Sequence, residues 1–176
     1  MKRLEAALSF LFPNCCLLCE EPVDRAGLCD ACVRELDPID DQACPSCGMW
    51  TEEGAWCAQC RVAPSALADV SALFAYDGAA GHLVRMLKYG NQRFLAKGLA
   101  AYLALHWMEL GWPEPDLVTY VPMNWARNVG RGYNQSQLLA KEFSRIQGLD
   151  FGRTLFKRMG QTPQAGLSYE QRQVFG

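Results

Sequence analysis

Eight of the nine cysteines in this chain form four Cys-x-x-Cys pairs, all within the first 60 residues. The spacing repeats: Cys16-x-x-Cys19, nine residues, Cys29-x-x-Cys32, then Cys44-x-x-Cys47, nine residues, Cys57-x-x-Cys60. A Cys-x-x-Cys turn lets two sulfurs face one small cation, and a second turn brought alongside by a hairpin completes a tetrahedron. Two sets of four soft thiolates at matched spacing predict two closed, structural Zn2+ sites, with iron as the main competitor. The expected ligands are Cys16, Cys19, Cys29, Cys32, Cys44, Cys47, Cys57 and Cys60. Two arrangements satisfy the count: pairing of sequence neighbours (first with second, third with fourth) and a cross-braced pairing. Cys15 competes with Cys16 for a place, but only Cys16 keeps the repeat, so Cys15 is left unliganded.

Other uses of cysteine fit less well. A disulfide scaffold would spread its cysteines, whereas residues 61–176 contain none. A redox dithiol needs one pair, not four at a regular period. The start, Met1 to Phe12, resembles a signal peptide, but Glu5 interrupts the apolar stretch and no small-x-small cleavage site precedes Pro13. A short N-terminal helix over residues 1–13 and a cytoplasmic protein are expected instead. With net charge −2 and pI near 5.7, no global basic field draws in nucleic acid, so any such binding is local. The most apolar stretch, Leu99 to Leu110, is short and carries His106 and Glu109, so no membrane insertion is expected.

Cysteines stop near Arg61 to Ala68, and Pro64-Ser65 marks a linker, dividing a ribbon domain (14–64) from a second domain (65–176). Beyond the linker, strands are expected at Val70–Tyr76, Asp116–Val121 and Phe151–Phe156. Helices are expected at Gly81–Tyr89, closed by Gly90, at Phe94–Leu110, closed by Gly111, and at Gln135–Ile146, closed by Gly148. This alternation is the cadence of an α/β sheet. His82 and His106 read as ordinary helix residues, and the five tryptophans as local packing. Between Val118 and Gln137 a buried strand opens into an arginine-bearing loop (Arg127, Arg131) and then a helix N-terminus. Amides, helix dipole and guanidinium groups together make that segment a candidate phosphate site.

The double Cys-x-x-Cys ribbon, Leu87-Lys88-Tyr89, Val121-Pro122, Arg131-Gly132-Tyr133-Asn134-Gln135, and Gln161 to Ser168 followed by Arg172 together resemble the ComF family. That family comprises ComF/ComFC competence proteins and the DNA-utilisation protein GntX. The resemblance runs from about Phe12 to Arg172. It implies a small N-terminal double zinc ribbon followed by a type I phosphoribosyltransferase-like (Rossmann-like) α/β domain, acting in competence, DNA uptake or utilisation, and nucleotide metabolism. Carried over residue by residue, it makes Lys88, Arg131, Asn134, Gln135, Gln164 and Arg172 the expected phosphate or pyrophosphate contacts. Lys88 also complements a helix C-terminus, and Asn134 also reads as an N-cap. Such a transferase takes 5-phosphoribosyl 1-diphosphate (PRPP) with Mg2+ through an Asp-Asp…Thr-Thr-Gly motif. The only adjacent acidic pair of Asp residues here, Asp40-Asp41, lies in the ribbon, so the α/β domain reads as partial, from a truncated, frame-shifted or fragmentary member. PRPP is therefore expected to bind weakly or not at all at this length. The other reading is a non-catalytic adaptor for single-stranded DNA or a helicase-like competence protein, with Trp50, Trp56 and Arg61 as contacts.

Overall fold

A computed structural model describes residues 15–24, 27–39, 43–51, 54–123 and 129–156. Each ribbon begins with a turn closed by its own backbone. In the first, Cys16 N–H donates to Glu21 O at 2.7 Å and Glu20 N–H to Cys16 O at 3.1 Å. In the second, 28 positions on (Cys16 to Cys44), Cys44 N–H donates to Met49 O at 2.7 Å and Gly48 N–H to Cys44 O at 2.8 Å. Antiparallel bridges flank both turns, Cys15 with Pro22 and Ala43 with Trp50. The third and fourth cysteines of each set lie at the start of short helices, α1 (Asp30–Arg34) and α2 (Ala58–Val62). Cys29 and Cys57 act as N-caps, each sulfur accepting a bond from a backbone N–H one turn later. The spacing of the thiols is thus written into turn and cap geometry, not into a sheet.

Three longer helices follow: α3 (Gly78–Tyr89), α4 (Leu95–Leu110) and α5 (Gln135–Gln147). Gly111 and Gly148 end α4 and α5 in left-handed conformations, at φ 62 and 71. Gly90 also closes α3, but at φ −83, and the left-handed residue is its neighbour Asn91. The helix α4 packs chiefly on α5: Gln147 Nε2 donates to Ala104 O at 2.9 Å, and Trp107 meets Trp112 and Phe143 edge-on at 5.6 and 6.1 Å. Small buried residues Ala96, Ala100 and Ala104 line one face of α4, permitting close approach. His106 Nε2 is 2.7 Å from Ser71 Oγ, which ties this α4 residue to the segment just beyond the linker.

One hydrophobic core joins ribbon and helices. Leu17 and Leu36 of the first ribbon are buried with Leu83, Leu87, Leu95, Ala96 and Tyr133. Leu83, Leu87 and Leu95 are almost fully buried, each worth roughly 1.5–3 kcal/mol in transfer terms. The second ribbon has a separate small core of Cys44, Cys57 and Cys60 with Cys47 against it.

The expected strands are not assigned among the described residues; two of the isolated bridges mark where they would pair. At Pro38–Phe74, Ile39 N–H donates to Leu73 O at 3.4 Å and Ala75 N–H to Asp37 O at 2.9 Å, around a proline that has no N–H to give. At Val118–Phe151, which is parallel, Val118 N–H donates to Asp150 O at 2.8 Å and Gly152 N–H to Val118 O at 3.0 Å. One residue on, the contact passes to side chains: Thr154 Oγ1 donates to Thr119 Oγ1 at 3.0 Å. Each pairing stops after a single bridge. The helix α5 connects these two parallel segments as a crossover. The N-terminal helix expected over residues 1–13, and Gln164 and Arg172, lie outside the described residues.

Candidate functional site

Two four-cysteine clusters form, Cys16/Cys19/Cys29/Cys32 and Cys44/Cys47/Cys57/Cys60, with the sulfurs of each within 4.8 Å of one another. The grouping is that of sequence neighbours, so the cross-braced alternative is corrected. Zn–S bonds of about 2.3 Å in a tetrahedron require sulfurs about 3.8 Å apart. Cys19 and Cys29 sulfurs are 3.7 Å apart, and those of Cys47 and Cys57 are 3.8 Å apart. The thiol sets therefore fit structural Zn2+, one per ribbon, and leave no open position for a reacting ligand. Bound zinc supplies a cross-link between turn and helix. Cys15 stands outside both sets.

The protein prepares each cluster electrostatically. Cys29 N–H donates to Cys16 Sγ at 3.3 Å, and Cys57 N–H to Cys44 Sγ at 3.4 Å. Burial raises Cys16, but the amides of Cys19, Cys29 and Leu18 outweigh it and bring the thiol down to about 6. The amide of Cys57, against opposing burial and with help from Ser46 and Cys47, likewise brings Cys44 to about 6. Cys32 is pushed well above its ordinary range by burial and the neighbouring thiols. At Cys47 the amide of Met49 lowers, but burial and the thiols of Cys60, Cys44 and Cys57 drive it up to about 12. Each ribbon thus holds one thiol below its ordinary range and another above it, and zinc binding requires all four to be deprotonated.

A second feature lies at the far ends of α3 and the start of α5. Lys88 (last turn of α3), Arg131, Asn134 and Gln135 come together along a cleft of about 390 Å³, with Leu87, Val121 and Leu139 as apolar walls. An adjoining cleft of about 690 Å³ shares Lys88 and Arg131 and adds Tyr89, Asn91 and Arg93. None of the described residues lining either cleft is acidic. Aromatic rings hold the cations: Arg131 sits 4.8 Å from the Tyr89 ring centre, Arg93 4.6 Å from that of Tyr133, and Lys88 5.3 Å from that of Tyr76. Arg131 Nη1 also donates to Gln135 Oε1 at 2.9 Å.

Asn134 is occupied otherwise. Its Oδ1 accepts from Ser136 N–H at 3.0 Å and Gln137 N–H at 3.4 Å, capping α5, while Nδ2 donates to Val121 O at 3.0 Å. The sequence reading missed Arg93. The signal was present: only five residues separate α3 from α4, so a basic residue in that loop must stay near Lys88. Arg153 was also missed; it lines a smaller cavity of about 170 Å³ with Tyr120, Pro122 and Asn134. Among the described residues no helix is long and apolar enough to cross a membrane.

Residues 7–61 match the family model of the double zinc ribbon domain. The chain is 29% identical over 140 residues to DNA utilization protein YhgH of Escherichia coli (strain K12), covering 76% of this chain and 61% of that protein. It is 28% identical over 143 residues to the YhgH of Salmonella typhi, covering 77% and 63%. Competence protein F of Haemophilus influenzae is 27% identical over 160 residues, covering 85% of this chain and 67% of that protein. No solved structure matches the chain significantly. The chain therefore spans about 61% of the length of the YhgH relatives it matches first. The chain thus carries an N-terminal double zinc ribbon domain with two four-cysteine clusters at one spacing, and is similar over most of its length to DNA utilization protein YhgH and competence protein F.

Proposed function

We propose that this protein acts in DNA utilisation by holding the diphosphate group of a phosphoribosyl-type metabolite in the cleft around Lys88, Arg93 and Arg131. The observation that carries this reading is three cations around joined cavities whose described lining contains no carboxylate. Uncompensated positive charge beside the N-terminus of a 13-residue helix favours a multiply charged anion. Mg2+ arriving with the metabolite would neutralise part of its phosphate charge, since the described lining offers no carboxylate to hold the ion. Ribose recognition by paired carboxylates is not provided by the described lining, so the diphosphate half dominates binding, and phosphoribosyl transfer is proposed only for a protein with the relatives' full length.

Calorimetry on the zinc-loaded chain with Mg2+ tests this. Pyrophosphate and PRPP are expected to bind weakly and about equally, and ribose 5-phosphate more weakly still. Arg131→Ala is expected to cost roughly 1–3 kcal/mol, as for a lost charge-assisted contact. No heat with pyrophosphate, or PRPP binding far tighter than pyrophosphate, overturns the reading.

A second reading is supported by a specific surface. Trp50 and Trp56 on the second ribbon are 57% and 44% exposed, and Arg61 Nε donates to Trp56 O at 2.9 Å beside them. Such rings suit stacking of single-stranded DNA bases, worth about 1–3 kcal/mol each. Quenching of tryptophan fluorescence by oligothymidylate, lost in Trp50→Ala with Trp56→Ala, is the expected result; unchanged emission removes it.

A further inference from the structure

The two ribbons repeat in backbone but not in what they touch. Leu17, inside the first Cys-x-x-Cys turn, is buried in the main core. The equivalent of Leu17 in the second turn, Pro45, is exposed. Leu28, which packs against the main core just before Cys29, corresponds to Trp56, which is exposed. Leu36, buried beyond α1, corresponds to Pro64, also exposed. Three of the four first-ribbon leucines in this core thus have solvent-facing counterparts in the second ribbon. The counterpart of the fourth, Leu18, is Ser46, which is buried but polar and accepts from Ser65 N–H at 2.9 Å.

The path from the first turn to the cleft is short. Leu17 lies so close to α4 that a Cβ on Gly98 would stand 2.6 Å from Leu17 Cδ1, so any larger residue there would displace that methyl group. Leu17 shares its cluster with Leu87 and Tyr133, and the Tyr133 hydroxyl donates to the Leu87 carbonyl. Leu87 in turn lines the cleft next to Lys88. Tyr133 lies between Arg131 and the N-cap of α5, and its ring carries Arg93. The turn is tied by backbone and sulfur together: Leu17 N–H donates to Gly27 O at 2.9 Å, and Leu18 N–H and Cys29 N–H donate to Cys16 Sγ at 3.5 and 3.3 Å. Close-packed interiors transmit such displacements, because a core side chain has few alternative positions.

We infer that the first cysteine quartet, through Leu17, is a positioning element for the cation cleft, whereas the second quartet is mechanically separate from it. The first metal site therefore does more than hold its own ribbon: it fixes the end of α3 and the approach to α5. Its functional consequence rests on the anion reading above; the mechanical coupling does not.

Hydrogen exchange on the full, zinc-loaded chain tests the coupling, with pyrophosphate affinity read separately. Leu17→Ala keeps all eight thiols, and its mirror is Pro45→Ala. Leu17→Ala is expected to speed exchange in the last turn of α3 and first turns of α4 about tenfold or more, and to weaken pyrophosphate several-fold, with two zincs still bound. Leu17→Met is expected to restore both. Pro45→Ala should change neither. Emptying the second quartet with Cys44→Ser and Cys47→Ser should speed exchange within residues 43–62 only. Acceleration spread evenly over the chain in Leu17→Ala, no acceleration at all, or equal effects at Pro45, overturns the inference. If native protein takes up no pyrophosphate, the anion reading fails, and exchange still decides the coupling.

Discussion

Glu20 is the residue where the two ribbons differ most in backbone economy. It stands at φ 63 in the first turn, where the second turn has Gly48 at φ 71. A left-handed conformation costs an ordinary L-residue roughly 1–2 kcal/mol, partly offset by the greater unfolded freedom of glycine. Glu20→Gly should therefore stabilise zinc-loaded protein by roughly 0.5–1 kcal/mol in thermal denaturation. Gly48→Ala should destabilise it by roughly 1–2 kcal/mol, because the new Cβ also lies 3.1 Å from Val70 Cγ1. Equal effects at the two sites would show that turn strain is not what separates them. Arg93 belongs at this scale too. Its one mark in the sequence is the short loop between α3 and α4 that keeps it near Lys88, and it stands over Tyr133 beside the cleft. Arg93→Ala should weaken pyrophosphate by roughly 1–3 kcal/mol while leaving zinc content unchanged, and calorimetry with elemental analysis checks both.

Helix ends carry more of this fold than strands do. Asn134 caps α5 with Oδ1 and ties the preceding extended segment through Nδ2 to Val121 O. Ser136 Oγ reaches the same carbonyl at 2.8 Å. Asn134→Ala should cost roughly 1–2 kcal/mol in denaturant unfolding, the loss of a cap plus a buried donor. Asn134→Asp keeps the cap acceptor but loses the donor, so it should fall between the two; a full loss in the Asp variant would show that the Val121 bond, not the cap, matters most. The helices α3, α4 and α5 were legible to within a few residues because apolar spacing and closing glycines are local signals. The three expected strands are met only by isolated bridges, since ladders depend on what lies alongside. At Val118 and Phe151 the neighbour supplies one rung before threonine side chains take over.

At the scale of the molecule, two metal sites, the main core and the second ribbon's small cysteine core set stability. Elemental analysis should find two zincs per chain, and one in Cys44→Ser with Cys47→Ser, since each quartet closes by itself. Loss of both metals from that single pair would break the two-site arrangement. The sequence by itself determined the metal ligands, the pair of closed sites and the helix ends. In each case the interacting residues lie within a turn or a hairpin of one another, so spacing alone carries the geometry. Lys88 and Arg131 were also named from sequence as site residues, by resemblance, and they do share a cleft. Only the tertiary structure decided that Arg93 stands over the Tyr133 ring, that Asn134, already legible as an N-cap, also ties its Nδ2 to Val121 O, and that Leu17 and Leu36 bury themselves with helices α3 and α4. Those facts depend on contacts between residues tens of positions apart, and an isolated leucine in a ribbon has no periodicity to show which surface it will cover.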